Sequence, residues 1–179
     1  MSPDSLESII KRDPPAPLLR RIASYRQLHL CALAVLVLDQ LSKWVVELTI
    51  PFGTWGGPDA ITVIPGFFNI THVGNTGAAW SMLSGRSVLL ASIAALTLVA
   101  IYVWRHALGL RNKLTQVGFG LLIGGIIGNL IDRLTRQYVV DFLDFHFGSY
   151  IYPTFNIADS GICIGVAIYM WVTLREERK

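Results

Sequence analysis

The chain has 179 residues, 53% of them hydrophobic and only 15% charged, with a mean hydropathy of +0.51. Soluble domains carry about 25% charged residues, so this composition excludes an ordinary soluble domain and indicates an integral membrane protein of one domain. The formal net charge of +3 is too small to argue for a nucleic-acid partner, and Cys31 and Cys163, each inside an apolar run, read as small buried hydrophobes rather than a disulfide framework.

Residues 1–25 are polar and basic and contain Pro3, Pro14, Pro15 and Pro17, which reads as a mobile arm ahead of a single membrane domain over 26–179. The first apolar run, 28–48, is the first expected span; it carries Asp39 and Lys43 and is followed by three more runs, unlike a cleavable signal peptide. Asp39, Lys43 and Glu47 fall at i, i+4 and i+8, on one helical face. Residues 49–85 are rich in Gly and Pro. Within them, 61–64 and 67–73 have β-favouring composition and predict a small sheet outside the bilayer. A loop, Gly74-Asn75-Thr76-Gly77, and a short helical or interfacial piece over 78–83 are expected next. The second span is 87–104, free of charge, and a short basic loop covers 105–113. The third span is 114–131, where Gly120, Gly124 and Gly128 form a face another helix can approach closely. The fourth is 155–174, and the stretch before it reads as a connection between spans.

Lys and Arg set the expected orientation. Lys11, Arg12, Arg20, Arg21, Arg26, Arg105, Arg111, Lys113, Arg175, Arg178 and Lys179 lie on one side, and Arg86, Arg133 and Arg136 on the other. Both termini and the 105–113 loop are therefore expected in the cytoplasm, with 49–85 and 132–155 facing outward.

The polar residues gather at that outer face. Asp141, Asp144 and Asp159 sit within VVDFLDFHFGSYIYPTFNIAD (139–159), and carboxylates at a membrane boundary are functional-site candidates. Asp159 can be brought to Asp141 or Asp144 by the flanking helices, and spacing does not choose between the two. Two carboxylates sharing a site repel, so one stays protonated near neutral pH and the pair suits general acid–base chemistry. The plainer reading is a capping box, with Asn156 as N-cap and Asp159 three residues on. Gly125, Asn129 and Arg133 share one face of the third span. Arg133 suits a bidentate hold on a carbonyl or carboxylate, and interhelical hydrogen bonding with a snorkelling arginine is the alternative. Asp39 and Lys43 read as a structural ion pair, and Asn75 as a turn residue or a ligand-orienting one. The four histidines have no metal-ligand spacing, so no metal is expected.

Together, DQLSK (39–43), NTGAAW (75–80), GGIIGNLIDR (124–133), VVDF (139–142) and FNIAD (155–159) resemble, in order, the lipoprotein signal peptidases of bacteria, signal peptidase II. The resemblance covers nearly the whole chain after the amino-terminal arm. It implies an all-helical membrane fold of four transmembrane helices with a small extracytoplasmic β-cradle, in the bacterial inner membrane with the site at the periplasmic face. It implies an aspartyl endopeptidase that cuts prolipoproteins before a diacylglyceryl-modified cysteine, without a cofactor. By motif, Asp141 and Asp159 match the family's catalytic pair, which decides against Asp144. Asn75, Gly125, Asn129, Arg133, Asn156 and Ala158 match positions that line or support the site, and Asp39 and Lys43 match a block used mainly for structure. The expected partners are the lipidated precursors and membrane lipid, with a monomer as the default. The alternative is a small proton-coupled transporter, which would hold Asp141 and Asp159 apart along a water path.

Overall fold

The computed structural model describes residues 23–55 and 58–178. Residues 1–22 of the expected arm lie outside them. Among the described residues, four helices carry the architecture: α1 (Arg26–Thr49), α2 (Ser87–Val103), α3 (Lys113–Thr135) and α4 (Ile157–Glu176). Among the described residues, α1, α3 and α4 are long and apolar enough to cross a membrane. α2 is apolar but has 17 residues and falls short of them in length. Large apolar side chains point outward along all four, among them Leu33, Val88, Leu96, Leu134 and Trp171. In water such surface would be an association patch, and in a bilayer it faces the acyl chains.

α3 is the axis, and its glycines explain why. A Cβ at Gly120 or Gly124 would run into the carbonyl oxygens of Leu28 and Ala32 on α1. On the other side, a Cβ at Gly125 would meet the Ala158 carbonyl of α4, and one at Gly165 the Gly118 carbonyl. Apolar burial drives little association between helices already in lipid, so close backbone contact at small residues holds such a bundle together. The four-residue glycine spacing is thus a helix interface, as the sequence predicts. α3 begins at an Asn112 cap, whose side chain accepts from the Leu114 and Thr115 N–H groups.

Outside these helices, the described residues form an antiparallel four-stranded meander: β1 (Ile61–Ile64), β2 (Phe68–Asn75), β3 (Val139–Phe147) and β4 (Tyr150–Ile151). β1 and β2 lie where β-favouring composition predicted them, although β2 runs on to take in Gly74 and Asn75, which were expected in the loop. The piece expected over 78–83 is a single 3₁₀ turn, Ala79–Ser81.

β3 corrects the expectation of a plain connection between helices. Buried residues fall on both of its faces: Val140 and Phe142 pack with Val46 and Ile50 of α1, Val139 and Asp141 are buried on the alternate positions, and Leu143 pairs by its backbone with Phe155 before α4. A strand covered on both sides shows no alternation of polar and apolar residues, so its period was hidden. The Phe155 carbonyl accepts from the N–H groups of both Phe142 and Leu143, which ties the entry of α4 directly to β3.

Candidate active site

Asp141 sits on β3, 2% exposed, with its carboxylate on the face that β2 extends. Register places Val73 opposite Asp141 and Asn75 opposite Val139, so Asn75 is the diagonal neighbour of Asp141 on one face of the ladder. Asn75 Nδ2 accordingly donates to Asp141 Oδ2 at 3.0 Å. Its own Oδ1 accepts from the Gly77 N–H at 2.9 Å, so the same side chain forms the turn and reaches Asp141.

Asp159 sits in the first turn of α4, and the capping box is formed. Asn156 Oδ1 accepts from the Asp159 N–H at 2.9 Å, and Asp159 Oδ2 accepts from the Asn156 N–H at 3.3 Å. The cap does not exclude a site. Asn156 Nδ2 reaches across to Asp141 Oδ1 at 2.7 Å, and Asn129 Nδ2 on α3 donates to Asp159 Oδ1 at 2.7 Å. Every carboxylate oxygen of the two aspartates therefore accepts one amide N–H and keeps capacity for a proton or a water.

Burial and the facing Asp159 carboxylate push Asp141 from 3.8 up to about 7, against the Asn75 and Asn156 hydrogen bonds and the Lys43 charge, which favour ionisation. A carboxyl poised there is half protonated near neutral pH, as acid–base work requires.

The two aspartates line one open cleft of about 360 Å³, together with Asn75, Asn129 and Arg133. Val139, Phe155, Ile162 and Cys163 add an apolar wall. A second lobe of about 290 Å³ continues from Asp141 past Trp55, Thr76 and Ser84. Trp80 stands at both lobes, 63% exposed and in a left-handed conformation (φ 58°) that a bulky residue rarely adopts. Sequence reasoning did not single out Trp80, because its signal is conformational. Arg133 Nη2 donates to the Gly77 carbonyl at 3.0 Å, while its buried Nε has no partner among the described residues. Gly125 and Ala158 lie behind the cleft, where their close approach seats α4 on α3; Ala158 is fully buried.

Asp144 stands apart. Three residues from Asp141 on a strand, it faces the other side of the sheet. There it accepts from Asn69 at 3.3 Å and pairs with His146 Nε2 at 2.7 Å. Asp39 and Lys43 form the expected ion pair at 2.8 Å, fully buried. A third member, Asp132, was not singled out; it lies 2.8 Å from Lys43 and is also fully buried. Its position three residues after Asn129 on the same polar helix face was the available signal.

This constellation has relatives. A family model described as signal peptidase (SPase) II matches residues 31–175. The chain is 40% identical over 151 residues to the lipoprotein signal peptidase of Bacillus pumilus (strain SAFR-032), across 84% of this chain and 94% of that protein. Two solved structures, both described as bacterial membrane enzymes obtained by the in meso method, are each 37% identical to it. One, at 2.3 Å resolution, has a TM-score of 0.74 and aligns over 83% of this chain and 87% of its own. The other, at 1.9 Å, has a TM-score of 0.68 and aligns over 81% and 90%. A family match that runs from the second turn of α1 to the end of α4, through both aspartates and the strand that joins them, means that the chain belongs to the signal peptidase II family.

Proposed function

We propose that this signal peptidase II carries out its reaction, removal of signal peptides from lipoproteins, as an aspartyl endopeptidase with Asp141 and Asp159 as the catalytic pair. The observation that carries this is the bridge: one side chain, Asn156, caps the helix of Asp159 and donates to Asp141 at 2.7 Å, so both carboxylates face one cleft. The transporter alternative gains no support, since it needs the two carboxylates apart.

In the reaction, the pair shares one proton and holds a water. The ionised carboxylate takes a proton from that water as its oxygen adds to the scissile carbonyl. The protonated carboxyl donates to the carbonyl oxygen, giving a gem-diol without a covalent enzyme intermediate. The pair then returns a proton to the amide nitrogen, the C–N bond breaks, and an acid and an amine leave. The Asp159 charge raises Asp141, so the two carboxyls are coupled and acid and base roles belong to the pair. Arg133, which lines the cleft beside both aspartates, serves to hold a substrate carbonyl.

The substrate is a prolipoprotein whose cysteine carries diacylglycerol, and the cut falls just before that cysteine. The apolar wall of Ile162 and Cys163, one turn deeper than Asp159, suits the lipid side, and the more polar second lobe suits peptide. α2 is the remaining span: 17 uncharged residues are at the lower limit of about 17 for crossing a bilayer, and its side chains are exposed like those of the other helices. The enzyme acts as a monomer in the bacterial inner membrane, both termini cytoplasmic and the cleft periplasmic. Reporter fusions after Lys179 or near Asn112 should read cytoplasm, and fusions near Asp59 or Ser149 periplasm; a periplasmic carboxyl terminus would sink this orientation.

The chemistry is tested with Asp141→Asn and Asp159→Asn. Each preserves shape but cannot exchange the proton, so cleavage of a lipidated precursor should be lost while the protein still folds. Full activity in either variant would overturn the aspartyl mechanism.

A further inference from the structure

Behind the cleft, α1 and α3 enclose three charged side chains with no exposure at all: Asp39, Lys43 and Asp132. Lys43 Nζ lies 2.8 Å from Asp39 Oδ2, 2.8 Å from Asp132 Oδ2 and 3.0 Å from Asn129 Oδ1, which uses its three N–H donors. The network around them is closed. Gln40 Nε2 donates to Asp39 and Asp132 at 3.1 and 3.2 Å, and Arg136 reaches Asp132 Oδ1 at 3.0 Å while pairing with Glu47. A bundle that needed only cohesion would do as well with apolar packing, because removing charges from water offsets most of their attraction.

The targets of the remaining bonds suggest another use. Asp39 Oδ1 accepts from the Ala158 N–H at 2.9 Å, and Asp132 Oδ2 accepts from the Val140 N–H at 3.3 Å. Ala158 immediately precedes Asp159 and Val140 immediately precedes Asp141. One carboxylate thus grips the backbone before each aspartate, and the two grips are joined through Lys43. The lysine also sets the sense of an amide. An ammonium only donates, so Asn129 must turn its oxygen to Lys43, where Asn156 Nδ2 also reaches it at 3.3 Å, and its NH₂ to Asp159. The reverse orientation would set donor against donor at Lys43 and acceptor against carboxylate at Asp159.

We propose that Asp39, Lys43 and Asp132 form a positioning cluster for the reaction, which fixes the separation of Asp141 and Asp159 and the sense of the Asn129 amide between them. This rests on the aspartate-pair reading and extends it to three residues that touch no substrate. The groups facing Asp141 are Asp159 from α4 and Lys43 from α1, with Asn75 and Asn156 bonded to it and Arg133 of α3 on the same cleft. Lys43 therefore also favours the ionised form of Asp141 from behind.

The test uses the full chain in detergent with a lipidated precursor. An Asp39→Asn/Lys43→Gln double variant removes one charge of each sign, keeps an acceptor for the Ala158 N–H and leaves no carboxylate newly unpaired, since Asp132 retains Arg136. Its kcat should fall about 100-fold, as misplacement by a fraction of the pair's geometry would dictate. KM should hold within about two-fold, and the acid limb of the kcat profile should move to higher pH. Asp132→Asn, which keeps Lys43 paired with Asp39, should lower kcat in the same way. A folded variant with wild-type kcat and pH profile, or loss of folded protein in both variants, would overturn the positioning role and leave the cluster purely structural. Asp141→Asn and Asp159→Asn are assayed alongside: activity surviving in those defeats the aspartate-pair reading itself, whereas inactive aspartate variants beside wild-type-like cluster variants defeat only this inference.

Discussion

Asn156 donates to Asp141 at 2.7 Å with the same side chain that caps α4 at Asp159. Local helix chemistry and site chemistry are therefore one arrangement. The N-cap needs a short polar side chain with an acceptor; the bridge needs, in addition, a donor on the far side of it. Asparagine supplies both at once; ionised aspartate has no donor, and the single short hydroxyl of serine cannot cap the helix and span to Asp141 together.

Substitution at Asn156 separates the two roles. Asn156→Ser retains a cap but cannot reach Asp141, and Asn156→Ala loses both. Both should lose activity, on the order of 100-fold. The alanine variant should in addition unfold more easily, by about 1 kcal/mol relative to serine. Thermal unfolding and precursor cleavage measured on the same preparations decide the matter. Wild-type turnover in the serine variant would reduce Asn156 to a cap.

Asp144 is the control for the choice of aspartate. It lies on the opposite face of β3 from Asp141, paired with His146, and one of its oxygens has no partner among the described residues. Asp144→Asn should keep most of the activity and shift stability by no more than about 1 kcal/mol. Sensitivity equal to that of Asp141 would mean that the wrong carboxylate has been placed in the pair.

The contrast between Asp141 and Asp144 also marks what was legible in the sequence. Their spacing of three says nothing until the segment is known to be a strand, and then it puts them on opposite faces. The strand itself was hidden because consecutive residues, Val139 to Phe142, are all buried, which removes the alternation. The helices were legible because lipid imposes one requirement over a whole segment, an uninterrupted apolar run. The glycine face of α3 was legible because small residues recur at helical spacing. Asp132 and Trp80 were not. The first matters through Lys43, on a different helix, and the second through a backbone conformation. The motif resemblance supplied the choice of Asp141 that physical spacing left open.

Asp141 makes a pH prediction whose sign is fixed. Burial and the Asp159 charge raise it from 3.8 to about 7 in the folded protein. Between those values the folded state binds a proton that the unfolded state has released, so stability falls as pH rises through that window and levels off above about 7. Asp141→Asn mimics the protonated form and escapes the loss. Its thermal midpoint should therefore exceed the wild-type value by more at pH 8 than at pH 5. An equal difference at both pH values would mean that Asp141 titrates as an ordinary exposed carboxyl, and the shared-proton mechanism would lose its physical basis.

The lipid on the substrate should matter more than its peptide sequence. Asp159 is in the first turn of α4, and the cleft wall continues one turn deeper to Ile162 and Cys163. The scissile bond must therefore come down to the level where α4 enters the apolar layer. An unmodified precursor would have to leave water and hold one orientation unaided. Two acyl chains contribute about 0.8 kcal/mol per buried CH₂ to membrane attachment, and they confine the modified cysteine to the depth of the pair. That confinement is orientation supplied before the chemical step. A precursor carrying diacylglycerol and its unmodified counterpart, compared in one reconstituted system, should differ in kcat/KM by at least about 100-fold. Part of that difference should remain when both are forced to the membrane by a separate anchor, which would show that the cleft wall reads the lipid beyond concentrating the substrate. Comparable kcat/KM for the two anchored substrates would leave a peptidase that acts at a membrane surface without recognising the lipid.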